Sequence, residues 1–164
     1  MKTVAIILAV LMVFAVGAAG YLWMNTDISV QSVVATATEA SADAALFEEL
    51  GRQMADQEVI GIRFSNDKLK EAENYQLLTY TIRMNNQSYL PMDMVEVQIS
   101  PMDGDVLQIG EEQAVVIPAR SSGAFQVRLL TEAKSNPVRE MTISYYQWGM
   151  PFFQKTRYRS GSTQ

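Results

Sequence analysis

Two residue types are missing from this 164-residue chain: it has no cysteine and no histidine. Without thiols it can form no disulfide, offers no thiolate nucleophile and lacks the sulfur ligands of structural zinc. Without imidazole it lacks the commonest general acid–base, haem axial and catalytic zinc ligands. Charge is also sparse, at 19% of residues with a net of −5, and no strongly basic stripe occurs. Nucleic acid is therefore not an expected partner. What is plentiful is apolar surface, 48% of residues. That supports a packed core and argues against a disordered chain.

The most distinctive segment is the first. From Val4 to Met24 no charge interrupts the run VAIILAVLMVFAVGAAGYLWM. As a helix rising about 1.5 Å per residue it would span roughly 30 Å of hydrocarbon. Lys2 precedes it and Asp27 follows it, a bias that favours a cytoplasmic N-terminus and an extracytoplasmic remainder. Tyr21 and Trp23 stand where interfacial aromatics would hold the outer end, with Val4 and Phe14 inside the apolar span. Membrane contact through this helix is thus the first expected partnership. A cleaved signal peptide is the alternative, since Gly17-Ala18-Ala19 offers small residues to a peptidase and the mature chain would then be secreted.

Four divisions are expected. Residues 1–26 are the signal-anchor, 27–57 a linker and short helix, 58–159 a β domain and 160–164 a tail. Residues 28–45 are mainly Ser, Ala, Thr and Val, a linker-like composition. Thr36 and Glu39 match a capping box, and Leu46, Phe47, Leu50 and Met54 recur at one-face helical spacing, predicting a helix over 38–56. From Val59 the pattern changes. Leu78, Tyr80, Ile82 and Met84 alternate with polar residues, as do Val95, Val97 and Ile99, then Phe125, Val127 and Leu129, then Met141, Ile143 and Tyr145. Turn residues at Asn85-Asn86, Asp103-Gly104, Ser121-Ser122-Gly123, Ser135-Asn136-Pro137 and Gly149-Met150-Pro151 separate most of these runs. Seven or eight short strands at this spacing predict a mostly β, antiparallel sandwich.

The stretches Tyr80-Thr-Ile-Arg-Met-Asn-Asn86, Val95-Glu-Val-Gln-Ile99 and Val116-Ile-Pro-Ala-Arg-Ser-Ser-Gly-Ala-Phe-Gln-Val127 resemble immunoglobulin-like sandwich domains of small membrane-anchored bacterial envelope proteins. The resemblance covers roughly residues 59–158. It implies the fold and the compartment and transfers no functional residue. The Cys…Trp…Cys spacing of antibody domains is absent, so no disulfide-pinned member is implied.

Motifs that would carry chemistry are incomplete. Ser65-x-x-Lys68 lacks the further elements of penicillin-recognising enzymes, the nearest text being Lys155-Thr-Arg157. Asp103-Gly-Asp105, with Glu111-Glu112, falls short of a calcium loop and reads as hairpin-turn chemistry. Glu48-Glu49 and Glu71-x-Glu73 read as solvated acidic faces. Asn86-Gln-Ser88 is a glycosylation triplet by formula. No enzyme activity, cofactor or metal is expected.

The densest feature is Tyr145-Tyr-Gln-Trp-Gly-Met-Pro-Phe-Phe153, five of fifteen aromatics in nine positions. In a strand Tyr146 and Trp148 face away from Tyr145 and Gln147. An interaction surface is expected from Tyr146, Trp148 and Phe152 with the alternating bases Lys155, Arg157 and Arg159. Its expected partner is another envelope protein, with a glycan stacked on Tyr146 and Trp148 as the alternative ligand.

Overall fold

A computed structural model describes residues 2–24, 28–56, 61–65, 67–110 and 114–158. Helix α1 runs Lys2–Met24. Its described side chains from Val4 to Tyr21, Phe14 among them, are exposed apart from a half-exposed Ala19. A helix apolar on every face has no polar side to turn to water. It is long and apolar enough to cross a membrane, as a signal sequence also is.

The remainder is mostly β, in two antiparallel sheets consistent with an immunoglobulin-like sandwich. The strands are β1 (Ile28–Glu39), β2 (Gly61–Arg63), β3 (Tyr75–Asn86), β4 (Met92–Ile99) and β5 (Asp105–Ile109), then β6 (Val115–Ile117), β7 (Ser121–Glu132), β8 (Glu140–Gln147) and β9 (Met150–Arg157). One sheet has the order β1-β3-β7-β5-β2 and the other β6-β4-β8-β9. Between them lies the main core, built from Leu78, Tyr80, Ile82 and Met84 of β3, Phe125, Val127 and Leu129 of β7, and Met141, Ile143 and Tyr145 of β8. These are the alternating positions read from the sequence.

The linker expected over 28–45 is not there. Residues 28–39 form β1, which pairs with β3 from Ile28↔Asn86 to Glu39↔Gln76. Ile28, Val30, Val33 and Ala35 pack against the main core. A register shift between Val30 and Ser32 explains the misleading pattern. The bulge inserts one residue, so the inward side chains change from even to odd positions and the alternation breaks. The sheet domain therefore begins at 28, not 58.

The expected helix over 38–56 is shortened to α2, Ala44–Asp56, preceded by a 3-10 turn at Ala40–Asp43. Thr36 is not a cap: it lies in β1 and its hydroxyl faces the Thr79 carbonyl at 3.4 Å. The helix start is instead satisfied by Asp43, whose Oδ1 accepts from Leu46 N at 3.1 Å. Leu50 and Met54 join Tyr75, Val106, Leu107 and Leu130 in a second core, so α2 covers one end of the outer face of the five-stranded sheet. Where the β pattern is expected to start, Val59 and Ile60 lie outside the described residues and Gly61–Arg63 forms β2 against β5.

Two buried polar clamps join the layers. Gln108 of β5 points across the core to β4, donating to Val97 O at 2.5 Å and accepting from Ile99 N at 2.8 Å. Its amide takes the place of a strand where the short β6, paired only at Met92↔Ile117 and Val95↔Val115, has ended. At the end of the sandwich where β5 begins, Arg139 forms two contacts with Asp105, and neither side chain has any solvent exposure.

Candidate functional site

The outer face of the four-stranded sheet is set by β8 and β9, joined through Trp148-Gly149 and paired from Gln147↔Met150 to Glu140↔Arg157. On β9 the odd residues Pro151, Phe153, Lys155 and Arg157 are exposed and, beyond Met150, the even ones half-buried. Phe152 therefore does not share a face with the bases. It turns inward and stacks on Tyr145, with ring centroids 5.6 Å apart and planes 11° from parallel. Its place in the expected surface belongs to Phe153, which is 70% exposed. The parity of Lys155 and Arg157 already contained that answer, because a strand's alternation puts 153 with 155 and 157.

Tyr146 does face outward, 41% exposed. It sits opposite Pro151, while Ser144 sits opposite Phe153. Tyr146 and Phe153 are thus diagonal neighbours on one face, a spacing that large rings can bridge. On β4 the pairs Asp93↔Tyr146 and Glu96↔Ser144 flank a register shift, and Met94 lies within it at φ 50°, 57% exposed. Exposed Tyr146, Phe153 and Met94 thus share this face with the exposed acids Asp93 and Glu96 of β4, with Lys155 opposite Thr142 and Arg157 opposite Glu140 farther along. Neither base makes an ion pair among the described residues. Arg159 lies outside the described residues. The opposite sheet contrasts with this one. Its outer residues Tyr75 and Leu130 lie under α2, and the rest of that face carries Thr79, Thr81, Arg83, Gln126 and Arg128, with Val34 of β1 exposed among them.

Trp148 departs from expectation in a different way. The strand ends at Gln147, and Trp148 occupies the first position of a two-residue turn, with φ 55° followed by Gly149 at 71°. Positive φ at both positions is type I′ geometry, which favours Asn-Gly. The side chain is 53% exposed. Because it sits in the turn, Trp148 is not the strand-face companion of Tyr146 that the glycan-stacking arrangement required.

Other motifs are absorbed by structure. Ser65 Oγ accepts from Asp67 N at 3.1 Å, closing a local turn. Asp105 is held by Arg139 and accepts from Met102 N at 2.8 Å, while Glu111 and Glu112 lie outside the described residues. Asn86 is fully buried, and its Nδ2 lies 2.8 Å from Leu90 O, 3.2 Å from Ile117 O and 3.1 Å from Pro118 O. A buried amide so engaged is closed to glycan attachment. Anchor residues Val4, Phe14 and Tyr21 are exposed on α1; Trp23 belongs to that helix, and its side chain lies outside the described residues. An opening of about 350 Å³ on the flank between the sheets is lined by Ile62, Val95, Val97, Phe125 and Val127 with Gln108 and Glu96, mostly packing residues.

No known protein family matches the chain, and no curated protein does. Among solved structures, the crystal structure of the yeast GGA1 GAE domain aligns with 55% of this chain and 94% of its own, at 14% identity and a TM-score of 0.37.

Proposed function

We propose that this protein is a non-enzymatic interaction module of the cell envelope, held by α1 in a membrane and presenting its β-sandwich outside the cytoplasm to another protein. In this reading α1 is retained as a signal-anchor. The partner docks on the outer face of the four-stranded sheet, with Phe153, Tyr146 and Met94 as the apolar centre and Lys155 and Arg157 as a charged margin. Exposed aromatics and methionine beside unpaired bases are the composition of an interface centre and rim.

One observation carries the reading. The two outer faces are treated differently: α2 roofs Tyr75 and Leu130 on one and leaves Val34 exposed by itself, while on the other Phe153 at 70% exposure and Tyr146 at 41% have no described element over them. Isolated apolar side chains on a surface need no explanation, but two exposed aromatics that are diagonal neighbours across β8 and β9, with Met94 exposed on the adjoining β4, support a contact surface. A photoreactive phenylalanine analogue placed at Phe153 in intact cells tests this. A discrete crosslinked species that is absent when the analogue replaces Arg83, on the opposite sheet, supports the reading. Equal crosslinking from both positions, or none from position 153, contradicts it.

A further inference from the structure

The sandwich has two dissimilar ends, and the end where α1 delivers the chain has its own surface. Only residues 25–27 separate Met24 of α1 from Ile28 of β1. Four Cα steps reach at most about 14 Å. Ile28 pairs with Asn86, which also pairs with Ser121. The first residue of the domain thus lies at the end made by the loops 87–91, 118–120 and 148–149.

These three loops are laced into one rigid tip. Asn86 Nδ2 donates to carbonyls of Leu90 and Pro118. Arg120 N donates to Ser88 O at 3.1 Å, and Gln147 Nε2 donates to Ser88 Oγ at 2.7 Å. The interior of the tip is polar and knit by this network, with Gln147 Oε1 left without a partner among the described residues, while its outside is aromatic. Tyr89 is 49% exposed and Trp148 53%. The Arg120 guanidinium lies 4.0 Å from the centre of the Tyr89 ring. Arg120 and Trp148 both hold positive φ, at 52° and 55°. A bulky side chain in that region costs stability that Asn or Gly would spare, so local folding does not account for either residue.

Charge separates the two ends. Within loops 87–91, 118–120 and 148–149 the one charged residue is Arg120. At the opposite end, where β3 and β5 begin and β7 finishes, Asp67, Glu71, Glu73, Asp103 and Glu132 outnumber Lys68, Lys70 and Lys134.

We infer that this tip seats on the bilayer that α1 crosses, with Trp148 and Tyr89 in the headgroup layer and Arg120 on lipid phosphate. The inference rests on the anchored reading of α1. Trp and Tyr favour that layer because an apolar ring carries a polar edge, and a guanidinium matches a phosphate by charge and by paired donors. The short tether holds the tip within reach, and the acidic far end is turned from an anionic surface. The domain then stands upright, with the Phe153 face along its side.

The test uses the full chain. First, the protein recovered from cell membranes is weighed: the intact mass keeps the anchored reading, and loss of the N-terminal helix overturns it and the seating together. Next, a Trp23→Phe variant, in which Trp148 is the sole tryptophan, is reconstituted into phosphatidylcholine vesicles containing phosphatidylglycerol. Seating predicts blue-shifted Trp148 emission, quenching by lipids brominated near the headgroup, and protection from iodide. Red-shifted emission that is open to iodide and untouched by brominated lipid, in vesicles that carry the protein on flotation, overturns seating while the anchor stands. Adding Arg120→Glu reduces the lipid quenching; unchanged quenching contradicts the contact assigned to Arg120.

Discussion

Arg139 and Asp105 face each other as a paired fork, with Nη2 2.6 Å from Oδ1 and Nε 3.0 Å from Oδ2, and neither side chain reaches solvent. The arginine also donates to Val138 O, Ser135 Oγ and Asn136 O, so it fastens the β7–β8 connection to the start of β5. Removing one partner leaves a buried charge without compensation, which costs about 3–5 kcal/mol. Arg139→Met is therefore expected to lower stability by that amount in urea unfolding. The double change Asp105→Leu with Arg139→Met costs less than Arg139→Met alone, and a double-mutant cycle measures the difference.

Phe152 and Phe153 are neighbours with opposite fates. Phe152→Ala removes a ring stacked on Tyr145 and is expected to cost roughly 2–3 kcal/mol, below the fully buried range because Phe152 is only half covered. Phe153→Ala is expected to change stability by no more than about 0.5 kcal/mol. Thermal unfolding of the two variants side by side checks the facing of β9, and a reversed order would mean that the strand is turned over.

Trp148→Asn is expected to stabilise the protein by about 1 kcal/mol. It replaces a bulky residue at positive φ with the residue that type I′ turns favour. A higher melting temperature is the readout. If Trp148 is there for contact rather than for folding, the same variant loses its surface interaction while gaining stability.

Two tyrosines should ionise late. Burial pushes the Tyr80 phenol well above the ordinary tyrosine range; Arg139 pulls against this, while Asp105 and Tyr158 add to it. Burial also raises Tyr145. An unfolded tyrosine releases its proton near pH 10. Above that pH the unfolded chain sheds protons that the native chain keeps, so this stability is present below about pH 10 and lost as pH rises further. Urea unfolding between pH 8 and 11 is expected to show the decline, with a gentler slope in Tyr80→Phe. That variant also starts about 1 kcal/mol lower, because the bond from Tyr80 Oη to Pro137 O at 2.7 Å is gone.

Strands with unbroken alternation were legible in the sequence. The inward positions 78–84 of β3, 125–129 of β7 and 141–145 of β8 follow period two and are buried, and the alternation is masked only where α2 also buries Tyr75 and Leu130 from the other side. Where a bulge interrupts the period, the reading failed. Ile28 and Val30 are followed inward by Val33 and Ala35, so β1 looked like a Ser/Thr/Ala spacer. The polar clamps were not readable either. Gln108 and Arg139 are ordinary hydrophilic residues until the fold brings β4 to one and Asp105 to the other. Phe153 was readable by parity with Lys155. Trp148 was not, because its conformation depends on where β8 ends and on Gly149 completing the turn.

The lack of cysteine gives the most direct test of an anchored, extracytoplasmic domain. Arg83→Cys places the only thiol of the chain at an exposed position of β3, away from the Phe153 face. Cells freed of any outer membrane are treated with a membrane-impermeant maleimide, and the labelled chain is followed through alkaline carbonate extraction. The account predicts labelling without lysis, with the label remaining in the membrane pellet. Labelling only after lysis, or a labelled chain released into the supernatant, would contradict it.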